Sequence, residues 1–330
     1  YDTYEEYPDE IYTKFHKLRD KIYTFEDIKR YNEEVREIER KITIFSYQVI
    51  EKIKDSLVKK KIKIDLIGFH GQTILHKPED KITIQIGDGN YLSQITKTNV
   101  IYNFRLNDLN HGGQGAPLTP IFHKLIVDQK KIQTPVSILN IGGISNITSI
   151  NAQNEISSSD IGPGNCLIDN WIRINSNKNY DNDGNIARSG KIDKLILNQT
   201  LENFYDNQVS KKKSYDTKDF DLSFVRGLNL NDGAATLTEF TAEICSNKIK
   251  KEDIFLCGGG RKNTFLVESI QSKIQGKLEL IDKLNINGDF VESQAFAYLA
   301  IRSYLKKPIT FPNTTGCIKP VTGGELASNF

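Results

Sequence analysis

The sequence predicts an α/β fold, because segments in which every second residue is hydrophobic alternate with segments in which hydrophobic residues recur every three or four positions. Glycine-rich turns follow several of the predicted strands. The chain has 330 residues, enough for two domains of about 150 residues each. We therefore expect two α/β lobes, formed by residues 1–135 and 136–330.

The composition is that of a folded protein with nearly balanced charge. Hydrophobic residues make up 38% and charged residues 26% of the chain, which argues against a disordered or collagen-like protein. The 44 basic and 42 acidic side chains leave a net charge of +2, so we expect no nucleic-acid partner. The basic runs at 59–61 and 211–213 are interpreted as solvated faces.

The cysteines and the hydropathy pattern indicate a cellular location. The four cysteines are widely separated, and none forms the close pair found in zinc or redox sites. We expect reduced thiols, a cytoplasmic protein and no structural metal. The sequence contains no apolar run of the length, about 18 residues, that spans a membrane, so no membrane partner is expected.

The first predicted element is a long amphipathic helix between Thr24 and Leu57, where apolar residues recur every three or four positions. Thr24 and Asp27 have the spacing of a capping box at its start. Alternating apolar residues then predict strands at 62–66 and 82–86. The period of the pattern therefore changes from helix to sheet before the middle of the chain.

Glycine pairs and triplets divide the second part of the chain. The apolar runs 136–141 and 144–150 flank a Gly-Gly pair and predict a hairpin. Residues 255–257 predict a strand that enters a glycine triplet, and the polar segment 203–229 is interpreted as a loop or lid. Helical spacing is found in the segments 118–127, 166–174, 192–204, 234–249, 263–270 and 290–305.

Glycine clusters are the strongest chemical signal in the sequence. Glycine lets backbone N–H groups approach an anion closely, so such turns can bind phosphate. The clusters are Gly112-Gly113-Gln114-Gly115, Gly142-Gly143, Gly162-Pro163-Gly164-Asn165 and Gly258-Gly259-Gly260. None has the Walker pattern or the Gly-x-Gly-x-x-Gly spacing, which argues against a P-loop or Rossmann site. A nucleotide site and a set of simple tight turns both stay open.

Several carboxylates lie near these turns or at predicted strand ends, where they could act as a base or bind magnesium, or could cap a helix instead. They are Asp88, Asp108, Asp160, Asp169 and Glu292. No Gly-x-Ser-x-Gly elbow is present, which argues against a serine hydrolase. The histidines lack the helical spacing of a zinc-binding pair.

A series of strings resembles, in order, the signatures of the anhydro-N-acetylmuramic acid kinase family. The most specific is Gly112-Gly113-Gln114-Gly115-Ala116-Pro117-Leu118. The others are Phe69-His70-Gly71-Gln72-Thr73, Gln85-Ile86-Gly87-Asp88, Asn103-Phe104-Arg105 with Asp108, Leu139 to Asn146, Asp160 to Asn165, Cys257 to Gly260 with Asn263, and Glu292 before Ala295-Phe296-Ala297. The resemblance extends from about residue 60 to Gly316.

This resemblance implies the two-lobed, ribonuclease H-like fold of the sugar kinase, Hsp70 and actin superfamily, with ATP and sugar in a central cleft. It implies a transferase of amino-sugar metabolism, an ATP-dependent kinase that uses ATP and Mg²⁺. Such an enzyme opens the 1,6-anhydro ring of anhydro-N-acetylmuramic acid with water and phosphorylates the 6-oxygen. The product, N-acetylmuramic acid 6-phosphate, serves peptidoglycan recycling.

The resemblance also assigns roles to the matching residues. Asp160 is implied as the base that activates water, and the glycine turns as the nucleotide site. The implied sugar contacts are Arg105, Glu292, His70, Gln72 and Asp88. The implied nucleotide contacts are Gly142, Gly143, Asn146, Gly162, Gly164, Asn165, Gly258, Gly259, Gly260 and Asn263.

Three features depart from the family pattern. A Met-Ser-Gly-Thr-Ser-like turn for the ATP phosphates is not found, so we expect a first lobe that lacks its N-terminal phosphate-binding hairpin and has an incomplete sheet edge. The family's Asp-Phe-Arg is Asn103-Phe104-Arg105, and Tyr215-Asp216-Thr217 replaces a Thr-Gly-Arg-like run. An inactive sugar-binding remnant and a kinase for a related anhydro- or amino-sugar stay open as alternatives, as does assembly into a homodimer.

Overall fold

A computed structural model of the chain describes residues 2–206, 214–249 and 252–330. Its helices are α1 (Asp9–Arg19), α2 (Phe25–Arg30), α3 (Asn32–Val58), α4 (Gly89–Thr96), α5 (Leu106–Asn110), α6 (Pro120–Lys130), α7 (Cys166–Asn175), α8 (Asn185–Arg188), α9 (Lys194–Asp206), α10 (Leu230–Lys248), α11 (Thr264–Lys273), α12 (Val291–Tyr304) and α13 (Pro312–Thr315). Its strands are β1 (Leu66–Gly68), β2 (Gln72–Lys77), β3 (Ile82–Ile86), β4 (Asn99–Tyr102), β5 (Val136–Ile141), β6 (Ile144–Ile150), β7 (Ile156–Pro163), β8 (Asp253–Cys257), β9 (Leu278–Leu280) and β10 (Glu325–Ala327). The predicted α/β class is confirmed.

The long helix predicted at 24–57 is two helices. Its capping box forms, since the Asp27 N–H donates to Thr24 Oγ1 at 3.2 Å and the Thr24 N–H donates to the Asp27 carboxylate at 2.9 Å. The helix α2 then ends at Arg30, and α3 begins at Asn32. Tyr31 lies between them with a φ of −103° and a ψ of 25°. Hydrophobic periodicity continues across this break, and for that reason the sequence does not reveal it.

The contacts divide the chain into unit 1, residues 1–118 with 293–330, and unit 2, residues 119–292. Unit 1 contains a three-stranded sheet in the order β1-β4-β10 and an antiparallel hairpin of β2 and β3. The helices α1 and α3 pack on that hairpin and bury a shared apolar cluster. The strand predicted at 62–66 begins only at Leu66, because Ile62 is 52% exposed and faces no core.

The last residues of the chain belong to unit 1 because β10 pairs antiparallel with β4, with Leu326 opposite Ile101. The contacts therefore group the chain differently from the predicted lobes 1–135 and 136–330. Hydrophobic patterns reveal strands but not which distant strands pair. The division near residue 135 stays a prediction.

Unit 2 is built on a five-stranded sheet in the order β7-β6-β5-β8-β9. The predicted hairpin of β5 and β6 is confirmed, and β8 lies parallel to β5. The helices α10 and α11 cover one face of this sheet, where Leu139, Ile141 and Ile147 are buried. A second apolar cluster centred on Trp171 joins α7, α9 and α10.

The predicted loop at 203–229 is partly helical. The helix α9 continues to Asp206, and short 3-10 turns lie at Thr217–Asp219 and Ser223–Val225. Residues 207–213, which include the basic run at 211–213, lie outside the described residues. No helix in the described part of the chain is both long and apolar enough to cross a membrane.

Candidate active site

Four polar residues form a row across the sheet of unit 2. Asn146 on β6 lies opposite Asn140 on β5 and opposite Asp160 on β7, and Asn140 lies opposite Cys257 on β8. Directly opposed residues of neighbouring strands point to the same face of a sheet. We call Cys257, Asn140, Asn146 and Asp160 the polar row. It faces away from α10 and α11, since Leu139 next to Asn140 packs against those helices.

The glycine turns after β5 and β7 are joined by backbone hydrogen bonds. The Gly164 N–H donates to Gly143 O at 2.9 Å, and the Asn165 N–H donates to Gly142 O at 2.8 Å. A Cβ on Gly164 would collide with Gly142 O, so only glycine fits at this position. Four of the predicted nucleotide contacts therefore form one connected backbone group.

The turn Gly258–Gly260 lies beside the same end of β5. Gly258 has a φ of 81°, and a Cβ there would approach Asn140 Oδ1 to 2.5 Å. Gly259 differs, since an added Cβ would meet, among the described residues, only Asn165 Nδ2 within 4 Å, at 3.8 Å. The backbone of Gly259 is exposed and sterically open to a ligand.

The Arg261 side chain links the glycine triplet to two carboxylates. Its Nε donates to Asp282 at 2.9 Å, and its Nη1 donates to Asp289 at 2.7 Å and to Gly258 O at 3.0 Å. The Arg261 side chain is only 6% exposed. Its hydrogen bond is the main reason that the pKa of Asp289 falls to about 2. Sequence reasoning missed this residue, although a basic side chain directly after a glycine triplet was a visible signal.

The carboxylate of Asp160 is held at the edge of the polar row. The Tyr215 N–H donates to Asp160 Oδ2 at 2.9 Å. Burial raises the pKa of Tyr215 to about 12, and the charge of Asp160 adds to this effect. Tyr215 is one of the positions where the sequence departs from the family pattern. Because the contact uses a backbone N–H, any residue except proline could supply it at this position.

The remaining predicted residues of unit 2 lie near these turns. Asn263 caps α11, since its Oδ1 accepts the Leu266 N–H at 3.0 Å. Gly162 lies on β7 opposite Ser145. Glu292 is exposed at the start of α12, and its charge contributes, after burial, to the raised pKa of Cys257. These placements leave the roles of Asn263, Gly162 and Glu292 in ligand binding as predictions.

Asp169 lies in the first turn of α7, directly after the turn that contains Asn165. Burial raises the pKa of Asp169 to about 6, while Arg173 acts in the opposite direction. No cluster of three or more His, Cys, Asp or Glu side chains that could hold a metal occurs in the described ranges. All four cysteine thiols are free.

Unit 1 contains a polar cavity of about 290 Å³. Its lining includes the predicted sugar contacts His70 and Asp88 together with Glu39, Gln85 and Tyr102. Burial raises the pKa of Glu39. Glu39 comes from the middle of α3, far from any motif in the sequence, and for that reason sequence reasoning missed it.

Arg105 and His70 are directly bonded within unit 1. The Arg105 Nε donates to His70 Nε2 at 3.0 Å, and the Arg105 Nη1 donates to Gly115 O at 2.8 Å. Burial lowers the pKa of His70 to about 3, and the charge of Arg105 adds to the effect. His70 is therefore neutral, and its Nδ1 carries the proton and donates to Gly71 O at 2.9 Å. Arg105 and His70, both predicted as sugar contacts, therefore lie side by side in the structure.

The other predicted contacts of unit 1 have local partners. Gln72 donates to the Tyr7 hydroxyl at 3.2 Å, and Asp88 caps α4 by accepting the Tyr91 N–H at 2.9 Å. Both side chains have a structural role here, and their sugar contacts stay predictions.

Asp108 organises the most specific glycine string. Its Oδ2 accepts the Gly115 N–H at 2.7 Å, and its Oδ1 accepts the Thr315 hydroxyl at 2.7 Å. A Cβ on Gly113 would collide with the Asp108 carboxylate. Of the two interpretations left open for Asp108, the structure favours the turn-stabilising one.

Comparison with known proteins identifies the family. The family model described as anhydro-N-acetylmuramic acid kinase matches residues 4–328. An anhydro-N-acetylmuramic acid kinase of Pelagibacter ubique is 49% identical over 344 aligned positions, which cover 100% of this chain and 91% of that protein. One from Zymomonas mobilis is 39% identical and covers 86% of this chain and 79% of that protein.

A solved structure was also found. It is the activator of the 2-hydroxyisocaproyl-CoA dehydratase from Clostridium difficile with bound ADPNP, which matches with a TM-score of 0.36 and 13% identity over 56% of this chain and 66% of that chain. A likeness of this size carries no argument about function, and the sequence matches decide the assignment. The chain belongs to the anhydro-N-acetylmuramic acid kinase family.

Proposed function

We propose that this protein phosphorylates 1,6-anhydro-N-acetylmuramic acid with ATP and opens the anhydro ring with water in the same reaction. The product is N-acetylmuramic acid 6-phosphate, a compound of peptidoglycan recycling. Family membership over residues 4–328 supports the reaction class. The observation that carries the proposal is the position of Asp160 in the polar row, within the unit that also holds the connected glycine turns.

Asp160 would serve as the general base. Water is a poor nucleophile, and attack on the anomeric carbon needs a group that accepts its proton. Water attacks C1 from the face opposite the departing 6-oxygen, the C1–O6 bond breaks, and Asp160 holds the proton, as the base of an inverting glycosidase does. The departing O6 takes the γ-phosphoryl group of ATP, and ADP is released, so no protein acid is required at O6.

The glycine turns would bind the nucleotide. Backbone N–H groups near Gly142 and Gly143 can donate to phosphate oxygens, and the open backbone of Gly259 suits close approach of the adenosine. Mg²⁺ would arrive with ATP as the metal–nucleotide substrate and offset the phosphate charge. Arg105 and Glu292 are proposed as sugar contacts, together with His70.

A cytoplasmic location is proposed because the reaction consumes ATP and because the four thiols are free. Fractionation of cells with an antibody to this chain tests it. Assembly as a homodimer stays a prediction, which light scattering of the purified protein checks.

Turnover by the purified protein tests the proposed function. The assay supplies anhydro-N-acetylmuramic acid and Mg-ATP, follows ADP release and identifies the phosphorylated, ring-opened sugar by mass spectrometry. Asp160→Asn keeps the size of the side chain but removes the proton acceptor, so kcat should fall by about a hundred- to ten-thousand-fold. Asp253→Asn is the matched control, because Asp253 is exposed at the start of β8 and lies away from the polar row.

The outcomes separate the alternatives. Sugar binding without turnover by the wild-type protein would support the inactive remnant, and turnover of a different anhydro-sugar alone would support a related kinase. Near-normal turnover by Asp160→Asn would contradict the proposal that Asp160 is the general base. Loss of turnover together with loss of the folded circular-dichroism spectrum would support only a turn-stabilising role for Asp160.

A further inference from the structure

We propose that Asn146 positions the attacking water by accepting a hydrogen bond from its second proton. The inference rests on the proposed function, in which Asp160 takes the first proton. It gives Asn146 a role different from the phosphate contact that the resemblance implies.

The sheet register places the two side chains side by side. Asn146 on β6 is the direct partner of Asp160 on the antiparallel strand β7, next to a register shift between Ser145 and Asn146. The Cα atoms of directly opposed residues in antiparallel strands lie about 4.5–5.5 Å apart, and their side chains share one face. A small molecule above this face can therefore contact both residues at once.

The amide oxygen of Asn146 is the second observation. Asn146 Oδ1 is buried and has no hydrogen-bond partner in the part of the chain that the structure describes. Buried polar atoms are nearly always bonded, so an orphaned one points to a partner such as a bound ligand or water. Its neighbour in the row differs, since Asn140 Oδ1 has a contact with the Cys257 thiol at 3.7 Å.

The chemistry of the orphaned atom decides which ligand it suits. A carbonyl oxygen accepts hydrogen bonds and cannot donate one, so this atom suits a donor such as water, whereas a phosphate contact would have to use the Nδ2–H groups of Asn146. A water molecule offers two protons. With one proton on the Asp160 carboxylate and the other on Asn146 Oδ1, a lone pair of the water oxygen is left to point at the anomeric carbon.

The step balances without any further group. The new bond is C1–O(water), the broken bond is C1–O6, and one water proton passes to Asp160. The second proton stays on the new hydroxyl group, still hydrogen-bonded to Asn146, and O6 carries the phosphoryl group from ATP. Asn146 neither gains nor loses a proton, so it acts as a positioning residue.

The test compares two variants of nearly equal shape. Asn146→Val removes the acceptor, whereas Asn146→Thr keeps a hydroxyl oxygen that can accept the water proton, and both residues suit a strand. We expect kcat to fall by about ten- to a hundred-fold in Asn146→Val and by clearly less in Asn146→Thr. The affinity for ADP, measured by calorimetry, should change by less than about threefold in both variants. Ser149→Ala, on the opposite face of β6, should keep the wild-type kcat.

The results distinguish this inference from the proposed function. A wild-type protein without sugar kinase activity overturns the proposed function itself, and this inference with it. With an active wild type, equal kcat values for the Val and Thr variants overturn the inference alone. A large loss of ADP affinity with kcat retained would instead support the phosphate contact. Thermal unfolding midpoints close to that of the wild type exclude misfolding as the cause.

Discussion

The side-chain amide of Asn103 donates to the carboxylate of Glu325 at 2.6 Å. Asn103 occupies the position where the family pattern has an aspartate, and the bond brings a carboxylate from β10 to that position. Asn103 has a φ of 56°, a left-handed conformation that asparagine and aspartate tolerate better than most residues. The negative charge lost from the motif is thus matched by one from the end of the chain.

This relationship predicts the effect of restoring the aspartate. Asn103→Asp places two carboxylates together and should lower the free energy of unfolding by about 0.5–1 kcal/mol, since the pair is largely exposed. The double variant Asn103→Asp with Glu325→Gln should recover the loss. Thermal unfolding at low and high salt checks both, because salt screens exposed charges. An effect of Asn103→Asp that is the same with and without Glu325 would contradict the coupling.

The neighbouring glycines Gly259 and Gly260 should respond differently to valine. Gly259→Val has room within the protein, so it should fold normally and lose ADP affinity by more than about tenfold through a clash with the ligand. Gly260→Val would drive a Cβ into Ile141 and should cost about 1–3 kcal/mol of stability. Calorimetry measures the first effect and thermal unfolding the second. Unchanged ADP affinity in Gly259→Val would show that Gly259 does not contact the nucleotide.

Arg261 should contribute more to stability than its neighbour Lys262. Arg261→Ala removes the guanidinium donor to Asp282, Asp289 and Gly258 O and should cost about 1–3 kcal/mol, a value reduced because both carboxylates are partly exposed and keep another partner. Lys262 is also paired with Asp289 but is 64% exposed, so Lys262→Ala should cost less than about 0.5 kcal/mol. Equal losses in the two variants, measured by urea unfolding, would contradict the proposed support of the turn.

Asp169 should make stability depend on pH in a predictable direction. Burial raises its pKa to about 6 in the folded protein, whereas an unfolded aspartate has a pKa of about 3.9. The folded state therefore binds the proton more tightly, and the free energy of unfolding falls as pH rises from about 4 through about 6.

Asp169→Asn removes the loss of stability that results from ionising the buried carboxyl group. The variant should be more stable than the wild type by about 1–3 kcal/mol at pH 8, and the difference should vanish near pH 3, below the unfolded pKa. Urea unfolding at both pH values measures the difference. An advantage that is constant with pH would show that the carboxylate is not the cause.

Local features of the fold follow from the sequence, and long-range ones do not. The hairpin around Gly142 and Gly143 is visible in the alternation of apolar residues, and the Thr24–Asp27 capping box in its spacing. Glu39 reaches the unit 1 cavity from a helix without a motif, and only packing reveals this. Asn140 was visible as a polar residue in an apolar strand, but its place beside Asn146 depends on the register between strands.

The return of β10 to β4 has a consequence for biosynthesis. Residues 119–292 form a compact unit from one continuous stretch, so they can fold as soon as they leave the ribosome. The sheet around β4 gains β10 only when Leu326, which follows the whole of unit 2 in the sequence, pairs with Ile101. Until then one side of β4 presents unpaired backbone groups that could join a foreign strand. Unit 1, although residues 1–118 are synthesised first, therefore completes its sheet only after the whole of unit 2 has been synthesised.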